Sequence, residues 1–212
     1  LEQFPGYQAL QLELGCGKGR FTADTAAQNP DIFLAAIEKV PDAMVVGMER
    51  VTERGLENVR FLDRDAANLL DMFAPGEVSR IYINFPDPWK KSRQHKRRLT
   101  YAGFLALYAN VLPLGGEIWF KTDDDDLFRD SLAYFPAAGF EITWQTFDLH
   151  KDEPDWNLRT EHEGMFSEQG IPIKALIARK GPDSSVTWVE PKELARRLEP
   201  EEEADPAGEV QE

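Results

Sequence analysis

The sequence predicts an α/β protein: a doubly wound, mostly parallel seven-stranded sheet with helices on both faces and an antiparallel last strand. Three observations predict it. Short apolar runs of about four to eight residues alternate with stretches of helical spacing, the pattern of βαβ units. A glycine-rich turn follows the first run and opens a helix. The last two runs are joined by a loop without a clear helical pattern, which lets them run antiparallel.

Each element can be justified in order. Leu10–Leu14 is the first strand and Arg20–Gln28 the helix after it. Ile32–Ile37, apolar throughout, is the second strand. Pro41–Arg54 is a helix with proline at its first position and Gly55 at its stop. Val59–Leu62 is the third strand, followed by a short helix from Ala66 to about Phe73. Arg80–Asn84 is the fourth strand. Thr100–Leu112 is a helix with Thr100 as its N-cap. Gly116–Lys121 is the fifth strand, and Leu127–Phe135 is helical. Phe140–Phe147, alternating and rich in aromatic and β-branched residues, is the sixth, and Ile173–Arg179 the seventh.

With 212 residues the chain can build one sizeable core, so residues 1–180 read as a single domain. No apolar stretch approaches the roughly 20 residues of a membrane span, and the start lacks a basic-then-apolar leader; the expectation is a cytoplasmic protein with no membrane partner. The chain opens almost directly on its first strand, which anticipates further residues before Leu1 in the full gene product. Cys16 is the sole cysteine, which excludes an internal disulfide and a multi-cysteine metal site. His95, His150 and His162 lack metal-ligand spacing, so no metal is expected. The molecule is expected to be a monomer or a homodimer.

Net charge is −14, which by itself argues against a polyanionic partner. Its distribution says otherwise. Residues 181–212 carry ten acids and three bases, half of the excess, and read as an acidic, disordered tail with at most a short helix from Pro191 to Leu198. Lys90, Lys91, Arg93, Lys96, Arg97 and Arg98 meanwhile put six cations into nine residues.

The turn Glu13-Leu14-Gly15-Cys16-Gly17-Lys18-Gly19 lets backbone approach a ligand closely. Glu38, at the end of the second strand, can accept both ribose hydroxyls of an adenosine-type cofactor. A dinucleotide would prefer G-x-G-x-x-G and would be repelled by Glu13 beside its pyrophosphate. S-adenosylmethionine, with an ammonium and a sulfonium, suits that acid better. Asp65 either accepts the adenine amino group, caps the helix from Ala66, or does both.

The fourth strand leaves the sheet into Asn84-Phe85-Pro86-Asp87-Pro88-Trp89. Two prolines predict an extended, stiff loop, suited to holding a carboxylate between aromatics against a planar base. The cations that follow suggest phosphate contacts around it.

These stretches, with Phe120-Lys121-Thr122-Asp123 and Arg159-Thr160-Glu161-His162-Glu163, resemble the bacterial tRNA (guanine-N7)-methyltransferases from about Leu10 to Lys180. The resemblance implies a class I, Rossmann-like methyltransferase domain. It implies methyl transfer from S-adenosylmethionine to N7 of the variable-loop guanine, position 46, of tRNA. It assigns Glu13, Gly15, Gly17, Glu38, Asp65 and Asp87 to the cofactor, and makes Asp87 the catalytic residue. Lys91, Asp123, Thr160, Glu161, His162 and Glu163 would contact substrate; Arg93, Gln94, His95, Lys96, Arg97 and Arg98 would touch RNA. Lys90 replaces a common proline, His162 a common aromatic, and Asp124-Asp125-Asp126 add acid near the RNA surface.

Three alternatives remain at this stage. A methyltransferase acting on an exocyclic base nitrogen carries a similar proline-rich motif, without Trp89 and the cation run. An oxidoreductase on the same sheet would want a glycine loop without Glu13. A non-catalytic RNA-binding module would need no cofactor pocket.

Overall fold

The computed structural model describes residues 6–182. The tail expectation, including its short helix, falls on residues that lie outside them from 183 onward. Seven strands form one sheet: β1 (Ala9–Leu14), β2 (Ile32–Ile37), β3 (Val59–Leu62), β4 (Val78–Asn84), β5 (Glu117–Thr122), β6 (Phe140–Thr146) and β7 (Lys174–Lys180). Their order is β3-β2-β1-β4-β5-β7-β6. All pairs are parallel except those of β7, which runs antiparallel to both β5 and β6. The predicted sheet and its antiparallel last strand are therefore present.

Alternate faces of the strands bury different cores, as the two-residue period of a strand requires. Leu10, Leu12 and Leu14 of β1 join Ile81, Ile83, Ile118 and Phe120 in the larger core. α4 (Ala102–Val111) and α5 (Asp125–Ala137) cover that side. α4 is apolar nearly all round and buried accordingly. On the other side, Ile32, Leu34 and Tyr82 meet Phe21 of α1 (Arg20–Gln28). α2 (Pro41–Glu53) lies against α1, and one close approach makes this possible. A Cβ on Gly19 would sit 2.7 Å from the Cα of Gly47.

Four expectations need correction. The segment after β3 is a 3-10 turn, Ala66–Asn68, followed by the short α3 (Leu69–Met72), rather than one helix. The helix expected from Thr100 starts at Ala102, and Thr100 does not cap it. Its buried hydroxyl instead accepts from Ser131 of α5 at 2.8 Å. A helix, α6 (Glu161–Glu168), does interrupt the connection from β6 to β7. With eight residues it shows too little apolar periodicity to announce itself; its signal was the T-x-x-E capping box, which is formed between Thr160 and Glu163. Finally, the loop after β4 is not extended throughout. Phe85 and Trp89 have φ of 52° and 44°. The rings of Pro86 and Pro88 fix φ at about −65°, and the residues before and after them, Phe85 and Trp89, reverse the chain in a left-handed conformation that bulky side chains rarely adopt.

Candidate active site

Connections reverse direction between β1 and β4, since β1 pairs with β2 on one side and β4 on the other. A crevice opens beyond the carboxyl ends of strands at such a point. Here it is a cleft of about 740 Å³. The glycine turn after β1 forms one wall and Asn84–Trp89 after β4 the other, with Thr160–His162 and Met165 of the α6 region closing a third side.

The first wall is built on backbone. Gly15 and Gly17 have φ of 78° and 52°, and a Cβ on either would meet nothing within 4 Å. They leave room for a ligand. Glu38 is fixed beside them: the Gly17 N–H donates to one carboxylate oxygen at 2.7 Å, and the N–H groups of Lys39 and Val40 donate to the other. Asp65 accepts from the Ala67 N–H at 2.9 Å and pairs with Lys39. It is thus a cap as well as part of the cleft lining, so both of its expected roles are geometrically open.

Glu13 sits deeper, 2% exposed. Burial raises its carboxyl to about 7, against hydrogen bonds from Thr22 and Asn84 and the charge of Lys121, which pull it down. The Thr22 hydroxyl lies at 2.6 Å and the Asn84 amide at 3.4 Å. Burial and the Glu13 and Glu38 charges push the Cys16 thiol far up, so it is no nucleophile.

On the opposite wall Asp87 is exposed, and among the described residues its carboxylate has no hydrogen-bond or ion-pair partner. It is free to receive donors from a ligand. Trp89 beside it packs under the Arg97 guanidinium, 5.1 Å from the ring centre. Phe85 lies 6.1 Å from the His162 ring and 5.8 Å from Phe166, which ties the motif to α6. Glu161 pairs with Arg50 of α2 at 2.7 Å.

Two residues expected at the surface face inward. Glu163, expected to touch substrate, is fully buried. It accepts from Lys121 at 2.9 Å, from Asn157 at 2.7 Å and from the Thr160 N–H at 3.3 Å, with His150 at 3.0 Å. Burial alone would raise its carboxyl, but Lys121 and these hydrogen bonds hold it below the ordinary value. Lys121 in turn is held below the usual lysine range by burial, opposed by Glu163. The pair braces the rim from behind: Lys121 also donates to Leu158, and its own carbonyl accepts the Phe85 N–H. Arg98, expected on RNA, is also buried, 1% exposed.

The remaining cations behave as expected of a surface: Lys91, Arg93, Lys96 and Arg97 are exposed, while Gln94 and His95 are half-buried. Lys91 lies outside the cleft wall, as does Asp123 at the carboxyl end of β5. Sequence reasoning missed Thr22 and Asn157, and quoted Asn84 and Lys121 in its motifs without giving them a role. Lys121 had a signal, since a lysine inside a buried strand must find a carboxylate. Asn157 had none. Among the described residues His150, Glu153 and Glu163 could present three ligand atoms to an ion, but Lys121, Asn157 and Arg159 already bond those carboxylates.

A family model described as "Putative methyltransferase" matches residues 7–176. A tRNA (guanine-N(7)-)-methyltransferase of Exiguobacterium sibiricum is 46% identical over 176 residues, 83% of either chain. One from Desulfitobacterium hafniense is 43% identical, over 85% of this chain and 84% of its own. The chain belongs to this methyltransferase family. Its fold is that of the class I methyltransferases: the 16S rRNA methyltransferase KamB superposes with a TM-score of 0.61 at 15% identity, over 84% of this chain and 90% of that one. In this methyltransferase the cleft therefore occupies the place where such a sheet binds its ligands. No helix among the described residues is long and apolar enough to cross a membrane.

Proposed function

We propose that this methyltransferase moves a methyl group from S-adenosylmethionine to N7 of guanine in tRNA, at the variable-loop position 46. The observation that carries the reading is the placement of an exposed, unpartnered Asp87 across one cleft from the Gly15–Gly17 turn and Glu38. The names of the relatives support tRNA and guanine N7; position 46 rests on the sequence resemblance.

The residues fit the donor. Glu38 has its carboxylate held by three N–H groups at the rim, ready for ribose hydroxyls. The turn at Gly15 and Gly17 faces open space, and Glu13 gives the cleft floor an acid next to which a cationic amino acid is favoured. When bound, S-adenosylmethionine supplies a methyl group on a positively charged sulfur.

Guanine N7 has a lone pair in the ring plane, so the chain need supply no base. As the base takes on positive charge, its N1–H and amino group become better donors, and Asp87 accepts from that edge. Holding the base in line by Asp87, Phe85 and Trp89 lowers the barrier through positioning, a term worth up to roughly 7–11 kcal/mol in favourable cases. Thr160, Glu161 and His162 line the guanine side, and Lys91, Arg93, Lys96 and Arg97 hold the phosphates. Lys91 and Asp123 stand further out and would meet the nucleotide's flanks.

Nucleoside mass spectrometry of tRNA incubated with the protein and S-adenosylmethionine tests this directly. The expected product is 7-methylguanosine, lost when tRNA position 46 is changed from G to A. An N2- or N6-methylated product would replace the reading by the exocyclic alternative. Asp87→Ala should cut turnover at least about 10²-fold with the fold intact; near-normal turnover would sink its catalytic role.

A further inference from the structure

Within the basic run one cation is unlike the rest. The Arg98 side chain is 1% exposed and spans two elements. Its Nε donates to the Pro88 carbonyl at 2.7 Å, and its Nη1 to Asp130 of α5 at 2.5 Å. The Pro88 carbonyl belongs to the peptide immediately after Asp87-Pro88, at the left-handed turn of Trp89. Docking continues from there: Ser131 donates to Thr100, and the rings of Tyr101 and Tyr134 meet edge to face at 5.3 Å. His95 also turns toward this seam, its Nδ1 4.0 Å from Asp130 and its Nε2 buried without a partner. The run is therefore two-faced. Lys91, Arg93, Lys96 and Arg97 point to solvent, while Arg98 points in.

We propose that Arg98, paired with Asp130, is a positioning residue that latches the Pro88 carbonyl to α5 and so holds Asp87 in the cleft, rather than a contact to RNA phosphate; this role rests on the function proposed above. The guanidinium is the group for the task. Its planar fork satisfies a carbonyl and a carboxylate at once, whereas a lysine ammonium is a compact point charge on a flexible stem. Among the described residues no other hydrogen bond holds the Pro88 carbonyl, in a peptide that must stay next to a residue in a conformation disfavoured by sterics. The short 3-10 helix from Ser92 to Arg97 then has a fixed end.

The test compares Arg98→Lys, Arg98→Gln, Asp130→Asn and Lys96→Ala in the full chain. Single-turnover methyl transfer at saturating tRNA, tRNA affinity against salt and thermal midpoint are measured for each. Arg98→Lys should lower the single-turnover rate by about 10²-fold, the scale of a 1 Å misplacement. The salt slope should stay at the wild-type value in Arg98→Gln, which removes the charge. Lys96→Ala should instead flatten the salt slope by about one. Asp130→Asn, at a position 41% exposed and so tolerant, should lower the rate in the same direction even if Arg98→Lys fails to fold. Added to Asp87→Ala, Arg98→Lys should cost nothing further, because it acts through Asp87.

A salt slope that falls by about one in Arg98→Gln, which removes the charge, would make Arg98 a phosphate contact and overturn the latch. So would a wild-type rate in Asp130→Asn, or losses that multiply in the Asp87→Ala background. If Asp87→Ala alone turned over normally, the assignment of the site would fall, and the latch with it. An inactive Asp87→Ala beside fully active latch variants would remove the latch alone.

Discussion

Glu13 shows what one residue's surroundings can do. Its carboxyl is raised to about 7, first by burial, against Thr22, Asn84 and Lys121. An unfolded glutamate titrates near 4.5. Between these values the folded chain binds more protons than the unfolded one, so stability falls as pH rises, and the loss is complete above about 7. The shift corresponds to about 3 kcal/mol at most. Thermal midpoints of the ligand-free protein should therefore drop between pH 5 and pH 7.5, and Glu13→Gln should flatten that drop. A midpoint that rises through the window in both proteins would show that Glu13 is ionised throughout. A cationic ligand beside the carboxylate reverses the penalty. Affinity for S-adenosylmethionine should accordingly increase with pH across the same window in the parent and not in Glu13→Gln.

At the scale of elements, the glycine turn serves two purposes that separate by position. Gly15 and Gly17 face the cleft, whereas Gly19 faces α2. Gly19 has φ 70°, and an added Cβ would lie 2.7 Å from backbone of Gly47, which cannot swing aside as a side chain can. Overpacking of this kind costs about 1–3 kcal/mol, and the left-handed backbone adds about 1–3 more for a residue with a Cβ. The entropy gained by restricting the unfolded chain offsets only about 0.4–1 kcal/mol. Gly19→Ala should therefore lower the melting temperature by roughly 2–20 °C, given about 2–4 °C per kcal/mol for a chain of this size. Cofactor affinity should suffer as well, because α1 and α2 carry the turn and flank Glu38. An unchanged melting curve would mean that α1 and α2 slide apart freely.

For the whole molecule, charge is the question. A net −14 repels RNA at long range, and the cations must overcome it locally. Of the six in the run, Arg98 is interior, and Lys90 lies 3.5 Å from Asp124. Four exposed cations without an ion-pair partner among the described residues remain for phosphates. A protein neutralising about four phosphates should lose affinity with a log–log salt slope of about −3 to −4. A fluorescence titration of tRNA between 50 and 200 mM salt measures it. A slope near zero would take the run out of the interface; one near −6 would bring Lys90 and Arg98 back into it.

Local pattern determined the seven strands, most helices and the glycines and acids, Gly15, Gly17, Glu13, Glu38 and Asp65, that line the cleft. Each of these rests on spacing along the chain: apolar runs of strand length, glycines at a turn, and acids at the ends of consecutive parallel strands, which topology brings to one edge. What the chain could not announce was the direction in which a side chain points once elements pack. Arg98 and Lys96 are both cations in one basic run, yet one lies against Asp130 and Pro88 and the other in solvent. Glu163 belongs to a motif that matches a substrate-binding stretch, yet Lys121 and Asn157, 42 and 6 residues away, draw it inside. The charged partners, Lys121 for Glu163 and Asp130 for Arg98, come from distant segments, and burying a charge is tolerable only where such a partner arrives. Only the tertiary structure decides which charges are paired and buried, and which, like Asp87, are left exposed on the cleft wall.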